Sequence, residues 1–395
     1  MLSKPAVYWV PVIITCVVLA LSGCCSEPAP PATIPTIDIE LKNTTLLSLG
    51  HLLDASQLIP LELTDNSGLD YIHKVVAHDD RMYVFNEIEA SYDKSLVIFN
   101  QEGHFLKRLS ANTDGPGNFQ FISDFFVHND NLEIIDKIRK KIIRFDLAGN
   151  YIDEHGIDLQ CDKVLGFNDG THICFRANAY DYSDDKSIFN LIYFDEKGKK
   201  IEKEFVPFPP ILKDRSFRIS EFFFPSSEPD QYLYSDFFND TIYLCRKDAV
   251  VPAFLLNPPN ALDQRRKIET ISKFPPQSQQ FFSEFMSFIN SPETFSKTEL
   301  VADSKDGLFL SFKYRQLRYF YLHRPSGDQV LSFKFITQLF PIDSEYFFMI
   351  IWDPQTIKND YNSFFENDRY RPVFDPFDDT SNPALLKVSI QKLFE

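Results

Sequence analysis

Ten side chains in this 395-residue chain have the chemistry of a ligand-binding rim: Asp136, Arg139, Arg176, Tyr180, Tyr182, Arg246, Tyr314, Arg315, Trp352 and Tyr361. Guanidinium groups pair with carboxylates through two parallel hydrogen bonds, and aromatic faces stack on sugar rings or peptide side chains. Each of the ten falls in a polar segment directly after an apolar, strand-like run, the segments being 86–93, 136–140, 176–185, 246–248, 313–318 and 352–361. Loops placed this way gather at one end of a repeat fold, so the expectation is a shared rim that binds a glycan, a peptide or an envelope protein. A solvated rim would use the same residue types, so the set is a candidate as a group. The rival is an enzyme, a hydrolase or lyase in which Asp136 supplies a carboxylate and Arg176 a cation.

Sequence motifs for catalysis do not support that rival. The chain contains no Gly-x-Ser-x-Gly elbow, no His-Glu-x-x-His helix, no Cys-x-x-Cys pair and no phosphate-cradling loop, since Gly115-Pro116-Gly117 lacks the Lys-Ser/Thr that would follow. None of the eight histidines has a partner at metal-ligand spacing; His78 and His128 occupy equivalent turns, and His73, His104, His155 and His172 are scattered. The acidic stretch Asp375-Pro376-Phe377-Asp378-Asp379 has hard oxygen ligands but not the spacing of an EF-hand loop. The reading is therefore a non-catalytic module, with no metal and no cofactor.

The elements that must position the rim are short strands joined by polar turns. Asn, Asp and His fill the turns 78–80, 128–131, 168–170, 239–240, 305–307 and 343–345, each followed by an apolar or aromatic run. Asn and Asp tolerate the left-handed backbone that tight hairpins demand. A second hairpin follows in several copies: Phe99 to Phe105, Phe145 to Tyr151, Phe194 to Gly198 and, more loosely, Tyr321 to Gly327. Its glycines 103, 149 and 198 recur 46 and 49 residues apart. Two hairpins per unit and six units specify an all-β, six-bladed β-propeller over 36–395, with about 60 residues per blade against the 40 to 50 usual in such repeats. Part of the surplus reads as a helical insertion over about 260–290, where Leu262, Arg266, Ile268 and Ile271, and then Phe281, Phe282, Phe285, Phe288 and Ile289, recur at helical spacing. The 40 Phe set against only 13 Gly fit blades whose faces must be filled by large side chains.

The N-terminus reads as an address. Lys4 precedes an apolar run from Val7 to Leu21, too short for a bilayer that needs about 20 residues, so residues 1–23 are expected to be a signal peptide. Leu21-Ser22-Gly23-Cys24 resembles the lipobox of bacterial lipoproteins, which makes Cys24 the expected lipidated N-terminus and 24–35 a Pro-rich spacer. The membrane partner would be reached through that anchor, most plainly at the outer membrane, facing the periplasm or the surface. With net charge −16 and basic runs only at Arg139-Lys140-Lys141 and Arg265-Arg266-Lys267, a nucleic-acid partner is not expected. Cys161, Cys174 and Cys245 are expected as three buried thiols, with a Cys161–Cys174 bridge as the alternative.

One stretch carries a family resemblance. Asp114-Gly115-Pro116-Gly117-Asn118-Phe119, the strands that follow, and Phe145-Asp146-Leu147-Ala148-Gly149-Asn150-Tyr151 resemble an NHL-type repeat. With the lipobox, Ile37-Asp38-Ile39-Glu40-Leu41, Ile59-Pro60-Leu61-Glu62 and Asn382-Pro383-Ala384-Leu385-Leu386, the chain is similar to the six-bladed β-propeller lipoproteins of Gram-negative gut bacteria. That resemblance implies a fold and a location, and no settled activity.

Overall fold

The computed structural model describes residues 34–88, 93–111, 115–157, 159, 161–177, 188–212, 222–237, 239–258, 268–269, 272–275, 278–289, 298–315, 317–334, 337–359, 368–375, 377–378 and 381–395. Pro35–Glu395 is one compact unit. Its first three strands, β1 (Thr36–Asp38), β2 (Thr45–Leu46) and β3 (Ser56–Pro60), form no sheet of their own. Blade I is β4 (Tyr71–His78), β5 (Arg81–Ile88), β6 (Asp93–Asn100) and β7 (Phe105–Ser110). Blade II is β8 (Ile122–His128), β9 (Asn131–Asp136), β10 (Lys141–Asp146) and β11 (Tyr151–Gly156). Blade III is β12 (Lys163–Gly166), β13 (His172–Phe175), β14 (Phe189–Phe194) and β15 (Lys200–Pro207).

Blade IV holds β16 (Phe223–Pro225), β17 (Tyr232–Tyr234), β18 (Thr241–Cys245) and β19 (Val250–Asn257), with β1 added in parallel to its outer strand. Blade V holds β20 (Thr298–Ser304), β21 (Gly307–Tyr314), β22 (Leu317–His323) and β23 (Gln329–Phe333), with β2 added in the same way. Blade VI takes β24 (Leu339–Pro341), β25 (Tyr346–Ile351) and β26 (Ala384–Ser389) from the C-terminal end and completes itself with β3, antiparallel from Ala384↔Pro60 to Val388↔Ser56. The fold is the expected six-bladed β-propeller, closed by pairing β3, from the N-terminal segment, with β26, the chain's last strand.

The core lies between the blades. Tyr83, Phe85, Leu96 and Ile98 of blade I pack against Ile122, Phe125, Leu132 and Ile143 of blade II, and comparable clusters fill the other gaps. Large flat side chains suit these spaces, because each strand buries one face against each neighbouring blade. The helix Gln279–Ile289 lies in the expected insertion between blades IV and V, with Phe281 buried, whereas Leu262, Arg266 and Ile271 lie outside the described residues.

Two expectations are corrected. Cys161 and Cys174 form a disulfide across the start of blade III, their Cα atoms 5.4 Å apart, and Cys245 alone remains a buried thiol. In the strand ladder Cys174 sits opposite Val164, and Cys161 lies outside β12, so no strand pattern in the sequence records the proximity. The Asn239-Asp240 turn does not join the first two strands of blade IV. It joins β17 to β18, and the inner hairpin turns at Ser226–Gln231, where Ser226 N donates to Gln231 O at 3.1 Å. Among the described residues no helix is long and apolar enough to cross a membrane.

Candidate functional site

In a four-stranded meander the second-to-third connections and the links to the next blade share one end, here called the mouth. The innermost strands carry the chemistry there. In blades I, II and V the inner strand slips register by one residue near its start, at Ile72/Lys74, Ile122/Asp124 and Thr298/Leu300. A bulge of this kind re-aims the side chains beside it.

Asp124 is the first consequence. Its carboxylate is fully buried, with Oδ1 3.0 Å from Lys74 Nζ and 3.5 Å from Lys163 Nζ, and Oδ2 accepts from Val164 N at 3.1 Å. One carboxylate thus joins the inner strands of blades I, II and III. Beside it, Lys137 pairs with Asp162. On blade I, His73 Nε2 lies 2.6 Å from Glu87 Oε2, and Lys94 Nζ stands 3.3 Å from the same oxygen and 4.1 Å from the centre of the Phe121 ring.

The pKa directions follow from this packing. Burial lowers His73, with the Glu87 hydrogen bond opposing, so the ring is neutral at pH 7 and donates to a carboxylate. Burial alone would raise Glu87, but the His73 hydrogen bond and the Lys94 charge outweigh it and hold Glu87 below the usual range. Tyr71 meets His73 edge-on at 4.8 Å, stacks on Trp352 at 6.2 Å with the rings 21° apart, and accepts from Gln338 Nε2 at 3.0 Å.

Below the polar groups lies a cavity of about 100 Å³ lined by Lys74, Phe126, Leu165, Phe223, Tyr232 and Ile342 among others, from five of the six blades. Burial pushes the Tyr232 phenol up to about 12, so it stays a neutral hydroxyl. The cavity is well under the roughly 300 Å³ at which drug-sized pockets begin.

The rim residues expected from sequence divide. Trp352 is half-buried at the mouth, stacked as described. Arg139 is exposed there, donating from Nη1 to Asn118 O at 2.9 Å, and Arg315 is exposed with its guanidinium 5.2 Å from the Tyr314 ring centre. Asp136 is at the mouth but fully buried: Oδ2 accepts from Gln120 N at 2.7 Å, and Oδ1 accepts from Ile138 N and Arg139 N at 3.1 Å each. It closes a turn and offers no free carboxylate. Arg176 and Tyr314 are buried at 2 % and 4 % exposure, so neither presents its polar group to solvent as a rim residue would. Arg246 is at the opposite end, because β18 is the third strand of blade IV and the 246–249 hairpin leads to the fourth; its own N and O pair with Ala249. Tyr180, Tyr182, Tyr361 and Cys24 lie outside the described residues.

Sequence reading missed His73, Lys74, Glu87, Lys94, Asp124 and Lys163. The available signal was a charge inside an apolar inner strand, as with Lys74 in Tyr71–His78 and Asp124 in Ile122–His128.

Residues 34–392 match the model of a family described as "Domain of unknown function (DUF4934)". Among solved structures, the chain is similar to a Bacteroides fragilis protein named for its expected export, with TM-score 0.69 and 15% identity over 90% of this chain and 99% of that one. It is also similar to a DUF4221 member from Bacteroides vulgatus, with TM-score 0.51 and 10% identity over 85% of this chain and 96% of that one. Identities this low speak to fold alone. No curated protein matches the sequence.

Proposed function

The chain belongs to the DUF4934 family, and from that premise we propose that it is an exported, lipid-anchored envelope propeller whose channel mouth binds a ligand without catalysis. The observation that carries this reading is the Trp352–Tyr71 plate standing beside the His73–Glu87–Lys94 group at the channel entrance. An aromatic face next to a neutral imidazole, a carboxylate and an ammonium suits a glycan or a short polar peptide. The Asp124, Asp136 and Asp162 carboxylates, which a hydrolase would need free, are instead held by lysines and backbone amides. Export is supported by the Cys161–Cys174 disulfide, since such bridges persist in oxidising compartments, and by the name of the B. fragilis neighbour.

Trp352 supplies the test. The only other tryptophan, Trp9, falls in the expected signal peptide, so emission from the mature chain reports on the mouth. Titration with a panel of oligosaccharides and short peptides is expected to give a saturable change for one class, abolished in Glu87→Gln. A flat response from every class at high micromolar concentration overturns the binding reading. Metabolic labelling with an alkynyl fatty acid is expected to mark the chain and to spare Cys24→Ser; equal labelling of both removes the anchor.

A further inference from the structure

Away from the mouth, at the other end of the gap between blades II and III, three buried ligand groups converge. His128 ends β8, Glu133 lies in β9, and His172 opens β13, so the first two come from one blade and the third from its neighbour. Their side chains are 7 %, 3 % and 3 % exposed. We propose that these three residues form a divalent transition-metal site, matched best to Zn²⁺, that ties blade II to blade III.

The spacing is the first argument. His172 Nε2 is 3.3 Å from Glu133 Oε2, His128 Nδ1 is 3.7 Å from Glu133 Oε1, and one donor atom from each residue lies within 4.8 Å of the other two. Bonds of about 2.0–2.1 Å arranged tetrahedrally set neighbouring ligand atoms about 3.3–3.4 Å apart. At 3.3 Å the His172–Glu133 pair is also a hydrogen bond, so that distance serves a direct contact as well as two ligands of one ion. The 3.7 Å between His128 and the carboxylate is beyond a direct hydrogen bond, and His128 Nδ1, the nitrogen facing the carboxylate, is buried with no hydrogen-bond partner.

Charge is the second argument. Sheet register puts Glu133, Arg144 and Asp153 in one row across blade II. Arg144 is committed to Asp153, with Nε 2.6 Å from Oδ1 and Nη2 on the other oxygen. That leaves Glu133 with no Lys or Arg ion pair among the described residues, and a buried carboxylate needs a counter-charge. A divalent cation supplies it, and imidazole with carboxylate is a borderline donor set that suits zinc.

Ring packing is the third. His172 stacks on Phe194 at 4.8 Å and 10°, and Phe126 touches both imidazoles at 5.2 and 5.7 Å. Rings held this way are already oriented before any ion arrives. Among the described residues, the neighbouring gap between blades I and II holds a more open counterpart, half-buried His78 with exposed Asp79 and Asp130, which lacks that enclosure and serves as the control.

The test uses the untagged full chain stripped with a chelator. Addition of Co²⁺ is expected to give one equivalent of a tetrahedral visible absorption band, displaced by Zn²⁺. Glu133→Gln and His172→Asn are expected to weaken binding at least about tenfold, and His78→Asn to leave it unchanged. No band in the native chain, or an equal band in the two ligand variants, overturns the proposal. Should those variants not fold, histidine hydrogen–deuterium exchange on the native chain decides: Zn²⁺ is expected to slow His128 and His172 but not His78, and equal rates with and without the ion refute the site.

Discussion

Asp124 shows how one side chain orders the channel. Its carboxylate is shared by Lys74 and Lys163, whose side chains are only 13 % and 17 % exposed, and by the amide of Val164. Asp124→Asn keeps the shape and removes the charge, leaving two largely buried ammonium groups without their common partner. Breaking a buried pair costs about 3–5 kcal/mol, so urea unfolding is expected to show a loss of about 3 kcal/mol, and an unshifted midpoint would contradict this account. His73 sets a pH dependence. Burial holds its folded pKa below the ordinary 6.5, so as pH falls past 6.5 the unfolded chain takes up the proton first and stability is lost. His128 and His155 are lowered by burial in the same direction. The metal-free chain is therefore expected to have a level melting temperature above about pH 7.5 and a falling one below about pH 6.5. His73→Gln should shallow that fall; an identical profile for the variant would remove His73 from the cause.

At the scale of the hairpin, glycine does more than turn the chain. Gly198 closes the outer hairpin of blade III at φ +75°, and a Cβ there would stand 2.1 Å from the carbonyl oxygen of Gly156, on the outer strand of blade II. Gly103 repeats the relation, with a Cβ 1.9 Å from Pro60 O on β3. The outer hairpins of blades I and III thus press backbone to backbone on the blade before. Gly327, in the looser hairpin of blade V, has φ +127° and no atom within 4 Å of its missing Cβ. Gly198→Ala is accordingly expected to cost more than the roughly 1–3 kcal/mol of backbone strain, and Gly327→Ala only that strain, in paired denaturant curves. Equal losses would mean that the close approach costs nothing. The same hairpins explain what was legible. Five of the six inner turns and four outer hairpins could be read because Asn, Asp and Gly mark positive φ, as at Asp79, Asn129, Gly170 and Gly307. Blade IV misled because its inner strands span only three residues each, so the Asn239-Asp240 turn stood beside the more visible strand. The mouth was half legible for a related reason. Loop composition reveals Trp352 and Arg139, but Asp124 and His73 meet Lys163 and Glu87 through neighbouring strands and blades, a register that no local pattern records.

For the whole ring, the decisive element is the N-terminal segment. Between Thr36 and Pro60 the chain passes the outer edges of blades IV, V and VI in turn, adding β1, β2 and β3. The three additions are not equivalent. β1 and β2 extend sheets that already have four strands, while β3 supplies the fourth strand of blade VI and hydrogen-bonds the last strand of the chain. Of the three, β3 is the one that pairs with the chain's last strand, and Glu62 N carries the closure onward by donating to Gly103 O of blade I at 2.9 Å. Removing residues through 42 takes away β1 with buried Ile37 and Ile39, worth about 1.5–3 kcal/mol each when fully buried, and leaves the ring closed. Removing residues through 61 also strips Leu52, Ile59 and Leu61 from the core and exposes β26 as an unpaired edge, a template for association with other chains. The shorter truncation is expected to elute on size exclusion in the same assembly state as the parent chain, with one cooperative transition at reduced stability. The longer one should lose that transition and form oligomers on size exclusion. A monomeric, cooperatively unfolding chain lacking residues 1–61 would show that the blades hold the ring without closure by β3.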